Sequence, residues 1–338
     1  MLEHAISAPA PAPAPMLVRT TTIAGLGTAL PAQVVENTTI AERLGVADGW
    51  IERRTGISRR RRASGDERIG TLAADAATAA LANAGIPAAA VDLIVLATLA
   101  SDHITPASAP EVAHLIGAHH AGAYDIGAAC TGFIAALATG SAFLESGRAD
   151  TVLVIGVEVM SRFLNGDDRR TAALFGDGAG AAVLTAGVAS ADGGAGSGVG
   201  PAVLGSDGSQ VDVIRCTRER ALIEMDGHDT FLAAVTRLSE SAVDACTAAH
   251  VTLADIDLFV FHQANARILT AVAERLDLPA DRVVNAIGDL GNTSAASIPL
   301  ALAYARDAGR LHPGDRVLCA AFGAGLTWGA CVLNWSAA

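Results

Sequence analysis

The sequence predicts an α/β fold made of two related halves. Two observations carry this. Short β-type apolar runs alternate with longer helical patterns along the chain, and segments about 160 residues apart echo one another. "ANAGIPAAAVDLIVLATLASD" (82–102) and "CTAAHVTLADIDLFVFHQANA" (246–266) share a helix end, a short loop, an aspartate and a β run. "ESGRADTVLVIG" (145–156) and "DAGRLHPGDRVLCAAFG" (307–323) each place Gly-Arg ahead of a strand. Composition agrees: 338 residues, 51% hydrophobic but 4% aromatic, with 35 glycines, suit a sizeable core of closely packed layers.

In chain order, "MLEHAISAPAPAPAPM" opens with Ala-Pro alternation, so residues 1–16 read as a stiff, disordered tail. The first half runs over 17–186. Within it, "RRTGISRRRR" (53–62) is a basic block, either a solvated loop or a patch for a phosphorylated or acidic ligand. "HLIGAHH" (114–120) reads as a surface helix end, because its histidines lack converging partners. "YDIGAACTGFIAAL" (124–137) is a β run, a cysteine and the start of a helix reaching about Ser146. "LFGDGAGAAVL" (174–184) reads as a hairpin turn, and it lacks the Gly-Lys-Ser/Thr ending of a phosphate loop. Residues 187–209 are dense in Gly and Ser and predict a linker. The second half, 210–338, places His262 after the β run "LFVF", Asn292 ahead of a helix, and a Gly-rich turn between two strands in "AAFGAGLTWGACVLNW" (320–335).

Several classes are excluded. No apolar stretch approaches the roughly 18 residues of a membrane span. The start carries neither a basic leader nor an apolar signal core, so a soluble, cytoplasmic protein is expected. A net charge of −12 argues against non-specific nucleic-acid binding. The five cysteines are scattered, with no Cys-x-x-Cys or Cys/His cluster, so neither a metal site nor a disulfide framework is expected. Four of them fall in apolar runs and read as core.

Cys130 is the exception. A thiol at a strand-to-helix junction is either small filler or a nucleophile, since a helix N-terminus favours the thiolate. His262, followed by the small polar step Gln263, Ala264 and Asn265, is either a hydrogen-bonded structural residue or part of a site. Asn292 alone would be a helix cap. Gly323 and Gly325 could let a backbone N–H approach a substrate oxygen.

Taken together, "AACTGF", "HQAN" and "GNTSAASIP", in this order and spacing, resemble β-ketoacyl-acyl-carrier-protein synthase III of the thiolase superfamily. "WIERRTGI" (50–57), "FGDGAGAAVL" and "FGAGLTWG" extend the resemblance from about residue 18 to the end. It implies a five-layered αβαβα thiolase-like fold and a homodimer. It implies that Cys130 takes an acyl group from an acyl-coenzyme A. A malonyl thioester on acyl carrier protein then loses CO₂ and attacks, with His262 and Asn292 donating hydrogen bonds to the thioester oxygen. No cofactor is implied. The N–H groups of Cys130 and Gly325 would form the oxyanion hole. Trp50 and Arg54 would sandwich the adenine with Arg169. Gly227, Phe231, Ala264 and Asn265 would line the pantetheine tunnel. On the helix after "HQAN", Arg267 points away from the stripe of Ile268, Val272 and Leu276, and with Arg275 it is the expected contact for the acidic carrier protein.

Leu232, Ala324 and the segment 101–117 depart from the family pattern, the last where it would cross the dimer interface and shape the acyl pocket. Thiolases need a second reactive cysteine at the Gly-rich turn, whereas Cys319 lies inside the strand before it. Elongating ketosynthases use a second histidine where Asn292 stands. Chalcone-synthase-like enzymes share Cys, His and Asn but lack "HQAN". The alternatives within the fold are acyl transfer from Cys130 to an alcohol, amine or unusual acid, and a non-catalytic partner subunit, which would be expected to lose its nucleophile.

Overall fold

The computed structural model describes residues 19–188 and 198–337. The Ala/Pro tail and residues 189–197 of the expected linker lie outside the described residues. The N-terminal half contains β1 (Arg19–Ala29), β2 (Gln33–Glu36), α1 (Asn37–Leu44), α2 (Trp50–Thr55), β3 (Arg59–Arg62), α3 (Ile69–Ala84), β4 (Leu93–Ala97), α4 (Ala109–Ile116), β5 (Gly122–Ile126), α5 (Gly132–Glu145), β6 (Thr151–Val159) and β7 (Asp177–Val188). The C-terminal half continues with β8 (Gly198–Val199), β9 (Val203–Ser206), β10 (Ile214–Cys216), β11 (Ile223–Met225), α6 (Gly227–Ala248), β12 (Leu258–Phe261), α7 (Ala266–Arg275), α8 (Ile287–Leu290), α9 (Ser297–Asp307), β13 (Arg316–Gly323) and β14 (Thr327–Asn334).

Two sheets form. The first runs β1-β7-β6-β4-β5, and the second runs β12-β13-β14 with β8 and β9 both pairing with β14. Helices α3 and α4 cover the outer face of the first sheet, and α6 and α7 that of the second. Helices α5 and α9 lie between the sheets, which completes the five layers of the thiolase-like fold.

Strands buried on both faces explain the unbroken apolar runs. In β6, Val152 and Val154 join the central core while Leu153, Ile155 and Val157 join the outer one. In β13, Val317, Cys319 and Ala321 face inward, with Leu318, Ala320 and Phe322 outward. Helix α5 is apolar nearly all round for the same reason: both sheets press on it.

The echoed segments make the same hydrogen bonds in each half. Asp92 and Asp257 accept from the N–H of Thr151 and Arg316, at 3.0 and 2.8 Å, and their own N–H groups bind those residues' carbonyls at 2.9 Å. Each aspartate thus clamps a strand onto its neighbour. Arg148 N–H returns to the Phe143 carbonyl to close α5, and Arg310 N–H returns to Ala305 to close α9, at 3.0 and 2.9 Å.

Three readings need correction. Residues 198–199 and 203–206 of the expected linker are strands, because pairing with β14 satisfies backbone groups that an open edge would leave exposed. "FGDGAGAAVL" is not a hairpin turn but the start of β7. Its glycines mark contact with α9: a Cβ at Gly180 would lie 2.6 Å from that of Pro299. The basic block is not one patch. Arg60 is fully buried with Nη2 on the Ala173 carbonyl at 2.9 Å, Arg59 pairs with Asp289, and Arg54 turns toward the site described next.

Candidate active site

β5 delivers the chain to a tight turn, Ala129–Thr131, from which α5 departs. Ala129 is held left-handed at φ 46°, a costly conformation for a residue with a Cβ, and it sets Cys130 at the start of the helix. The C-terminal hairpin closes over this turn. Thr327 Oγ1 donates to the Ala128 carbonyl at 3.1 Å, and a Cβ on Gly323 would stand 2.8 Å from the Cys130 nitrogen. Only glycine fits there.

His262 continues from β12, its N–H bonded to the Ala320 carbonyl at 2.8 Å. The ring is 2% exposed. Nδ1 lies 2.6 Å from Ser297 Oγ, which also accepts from the Gln263 N–H at 3.3 Å. Nε2 has no partner among the described residues. Asn292 is stitched to the 174–176 segment through its N–H to Leu174 and its carbonyl to the Gly176 N–H, at 2.9 and 3.0 Å. Its Oδ1 accepts from the Ser294 N–H at 2.9 Å, so the Nδ2 amide is the end left for the cavity.

Cys130, His262 and Asn292 line one cavity of about 610 Å³, although they lie far apart in sequence. Burial pushes the Cys130 thiol up to about 12, an effect opposed by the Ser294 hydroxyl beside it and reinforced by the charge of Glu158. Burial lowers His262 to about 4, so the imidazole is neutral at physiological pH.

Trp50, Arg54, Arg169, Gly227, Phe231, Ala264, Asn265 and Arg267 also line this cavity. Their arrangement differs from the expected sandwich. The Arg54 guanidinium carbon sits 4.7 Å from the Trp50 ring centre, while Arg169 is held by two bonds to the Leu44 carbonyl, at 3.1 and 3.0 Å. Asn265 spends its side-chain oxygen capping α7, on the Arg267 N–H at 2.9 Å.

Two expected residues lie elsewhere. Gly325 is not in the lining: at φ 135° it turns the chain toward Thr327, and the turn presents Phe322, Gly323 and Ala324 to the cavity instead. Arg275 is exposed near the end of α7, about 12 Å along the helix from Arg267.

Sequence reasoning missed Cys216, which is exposed and lines the cavity instead of the core. It also missed Ser297, Ser294 and Glu158. A lone acid inside the apolar run "VLVIGVEVM" was the available signal for Glu158.

Two family models match the chain: 3-oxoacyl-[acyl-carrier-protein (ACP)] synthase III over residues 124–208 and its C-terminal counterpart over 246–335. β-Ketoacyl-[acyl-carrier-protein] synthase III 2 of Streptomyces coelicolor is 47% identical over 316 residues, covering 94% of each chain. The chain belongs to the 3-oxoacyl-[acyl-carrier-protein] synthase III family. The crystal structure of the synthase III from Pseudomonas aeruginosa superposes with a TM-score of 0.88 at 44% identity, covering 94% of this chain and 98% of that one. The priming β-ketosynthase of a polyketide pathway superposes with a TM-score of 0.90 at 34% identity, covering 95% and 98%. This synthase III is an acyltransferase that initiates fatty acid or polyketide synthesis by decarboxylating condensation.

Proposed function

We propose that Cys130 takes an acyl group from an acyl-coenzyme A and passes it to the carbanion formed when malonyl-acyl-carrier protein loses CO₂. The observation that carries the residue assignment is that His262, with Nε2 unpartnered among the described residues, and Asn292, with Oδ1 taken by the Ser294 N–H, line the same cavity as Cys130. In this reading Ser297 Oγ, which accepts the Gln263 N–H, gives its own proton to Nδ1, so that the ring proton sits on Nε2. A neutral N–H and an amide both stabilise a developing enolate oxygen without protonating the carbanion. The chain's steps then balance: the thiol sulfur attacks the thioester and coenzyme A departs. Malonyl decarboxylation yields the nucleophile, its attack forms the carbon–carbon bond, and the Cys130 sulfur leaves and takes up one proton from solvent, which restores the thiol. The Cys130 N–H and the turn at Gly323 and Ala324, rather than Gly325, serve the oxyanion during both transfers.

Trp50, Arg54 and Arg169 hold the nucleotide end in this reading, and Gly227, Phe231, Ala264 and Asn265 the pantetheine arm. Arg267 at the cavity mouth, aided by Arg275, receives the acidic carrier protein. Coenzyme A thioesters and carrier protein are substrates, and no cofactor takes part. The segment 101–117, expected across the interface of a homodimer, leaves Ile104 86% exposed, which supports that assembly. No helix among the described residues is long and apolar enough to cross a membrane, which is compatible with a cytoplasmic enzyme. The two halves, 17–186 and 210–338, each contribute to the centre: the nucleophile from the first, His262 and Asn292 from the second.

Intact mass after incubation with a panel of acyl-coenzyme A and acyl-carrier thioesters tests this. Wild type gains an acyl mass that Cys130→Ala lacks, and malonyl carrier protein discharges it as a β-ketoacyl product. An acyl mass released only by an alcohol or amine would favour simple acyl transfer.

A further inference from the structure

The reading above leaves open where the Cys130 proton goes. His262 cannot receive it, since Nε2 must carry a proton to serve the enolate and Nδ1 is engaged by Ser297. Close to Cys130, a buried carboxyl has no assigned task. Glu158, next to last in β6, has no exposed surface. It accepts from the Ser294 hydroxyl at 3.0 Å, the Thr98 hydroxyl at 3.2 Å and the Leu99 N–H at 3.2 Å. The Ser294–Ala296 turn packs against the Ala129–Thr131 turn, which brings the same Ser294 hydroxyl beside Cys130. Ser294 is itself held left-handed at φ 48°, anchored by its N–H on Asn292 Oδ1. The glutamate, hydroxyl and thiol therefore form a continuous line that ends at the nucleophile.

We propose that Glu158 is the base for thioester attack, taking the Cys130 proton through the Ser294 hydroxyl. The thiol proton passes to Ser294 Oγ, the Ser294 proton passes to Glu158 Oε1, and the sulfur bonds to the acyl carbon as the carbon–sulfur bond to coenzyme A breaks. The proton then returns along the same line to the departing coenzyme A thiolate, leaving Glu158 ionised for the next turnover. No external reactant is needed.

The electrostatics fit a base better than a charge partner. An ionised Glu158 disfavours a standing thiolate next to it, so deprotonation belongs to the moment of attack. Burial raises the carboxyl to about 8, which makes it a stronger proton acceptor than an ordinary carboxylate and leaves it mostly ionised only above that pH. The groups facing it from β4, Thr98 and the Leu99 amide, and those from the 294–296 turn, Ser294 and the Ala295 amide, are uncharged. Across Ser294 the titratable neighbour is the Cys130 thiol, and His262 beyond it is neutral.

The proposal rests on Cys130 being acylated, and the experiment separates the two. Single-turnover acylation by acyl-coenzyme A, decarboxylation of malonyl carrier protein, and iodoacetamide alkylation of Cys130 are each followed from pH 5 to 10 for wild type, Glu158→Gln, Ser294→Ala and the double variant. Acylation is expected to fall about 100-fold in each single variant and no further in the double. The rise in wild-type acylation and alkylation near pH 8 should vanish, with decarboxylation within about 3-fold of wild type. Acylation at the wild-type rate in Ser294→Ala, or equal loss of both half-reactions, overturns the relay, as does a pH 8 rise that persists in Glu158→Gln. Should wild type accept no acyl group from any thioester, the proposed donor reading fails, and the alkylation profiles still decide the relay.

Discussion

Gly323→Ala tests the geometry of the nucleophile most directly. The added Cβ would lie 2.8 Å from the Cys130 nitrogen, 3.0 Å from its Cβ and 3.3 Å from its Cα. Ordinary contacts need roughly 0.5 Å more, and the obstructing atoms are backbone at the start of a helix, with no flexible end to swing aside. Overpacking of this kind costs about 1–3 kcal/mol of stability. A displacement of about half an ångström moves the Cys130 N–H off the oxyanion position, and losing one such donor costs about 2.7–4 kcal/mol, or 10²- to 10³-fold in rate. Rapid-quench acylation followed by intact mass should show that loss. Decarboxylation of malonyl carrier protein, assigned in the proposed function to His262 and Asn292, should fall far less. Gly208→Ala is the control, since a Cβ there meets nothing within 4 Å. Acylation at the wild-type rate with an unchanged melting temperature would show that the turn yields freely and that the packing argument is wrong.

Asn292→Ala and His262→Ala should each reduce CO₂ release from malonyl carrier protein by about 10²- to 10³-fold while Cys130 still becomes acylated; equal loss of acylation would deny them a selective role. Arg267→Glu should lower kcat/KM for malonyl carrier protein severalfold at low salt, with the deficit shrinking as salt rises; an unchanged rate at low salt would remove it from the docking surface. Stability should depend on pH through two buried groups. Glu158, raised to about 8 in the fold, contributes stability that is fully present below about pH 4.5 and is lost as pH rises toward 8. Glu158→Gln should therefore flatten the fall in melting temperature across that window, and an unaltered slope would contradict the assignment. His262, lowered to about 4, acts in the opposite sense: the unfolded chain gains a proton first, so stability drops as pH falls from 6.5 toward 4. His262→Ala should remove that acid limb in the same melts.

Legibility in the sequence varied by residue for physical reasons. Cys130, His262 and Asn292 sit at element boundaries, where small and polar residues interrupt apolar patterns, so each left a local mark. The Gly/Ser density over 187–209 suggested a linker because composition cannot register that β14 has an open edge. "RRTGISRRRR" looked like one charged patch, since nothing local tells a buried arginine such as Arg60 from an exposed one. The motif points to Gly325 and the structure to Gly323 and Ala324, because the direction of a turn is set by backbone angles that the order of residues does not show.

The sequence by itself determined the α/β alternation and the internal duplication and singled out Cys130, His262 and Asn292, which share one cavity, because periodicity, echo and motif are properties of order along the chain. Only the tertiary structure decided which atoms of those residues are free. Ser297, 35 positions later, occupies His262 Nδ1, and Nε2 is left without a partner among the described residues. Glu158 reaches Ser294, 136 positions away, because the second half's 294–296 turn docks on the end of a first-half strand. Protonation and hydrogen bonding depend on distances of about 3 Å and on burial, and those are fixed only when the two halves close on each other.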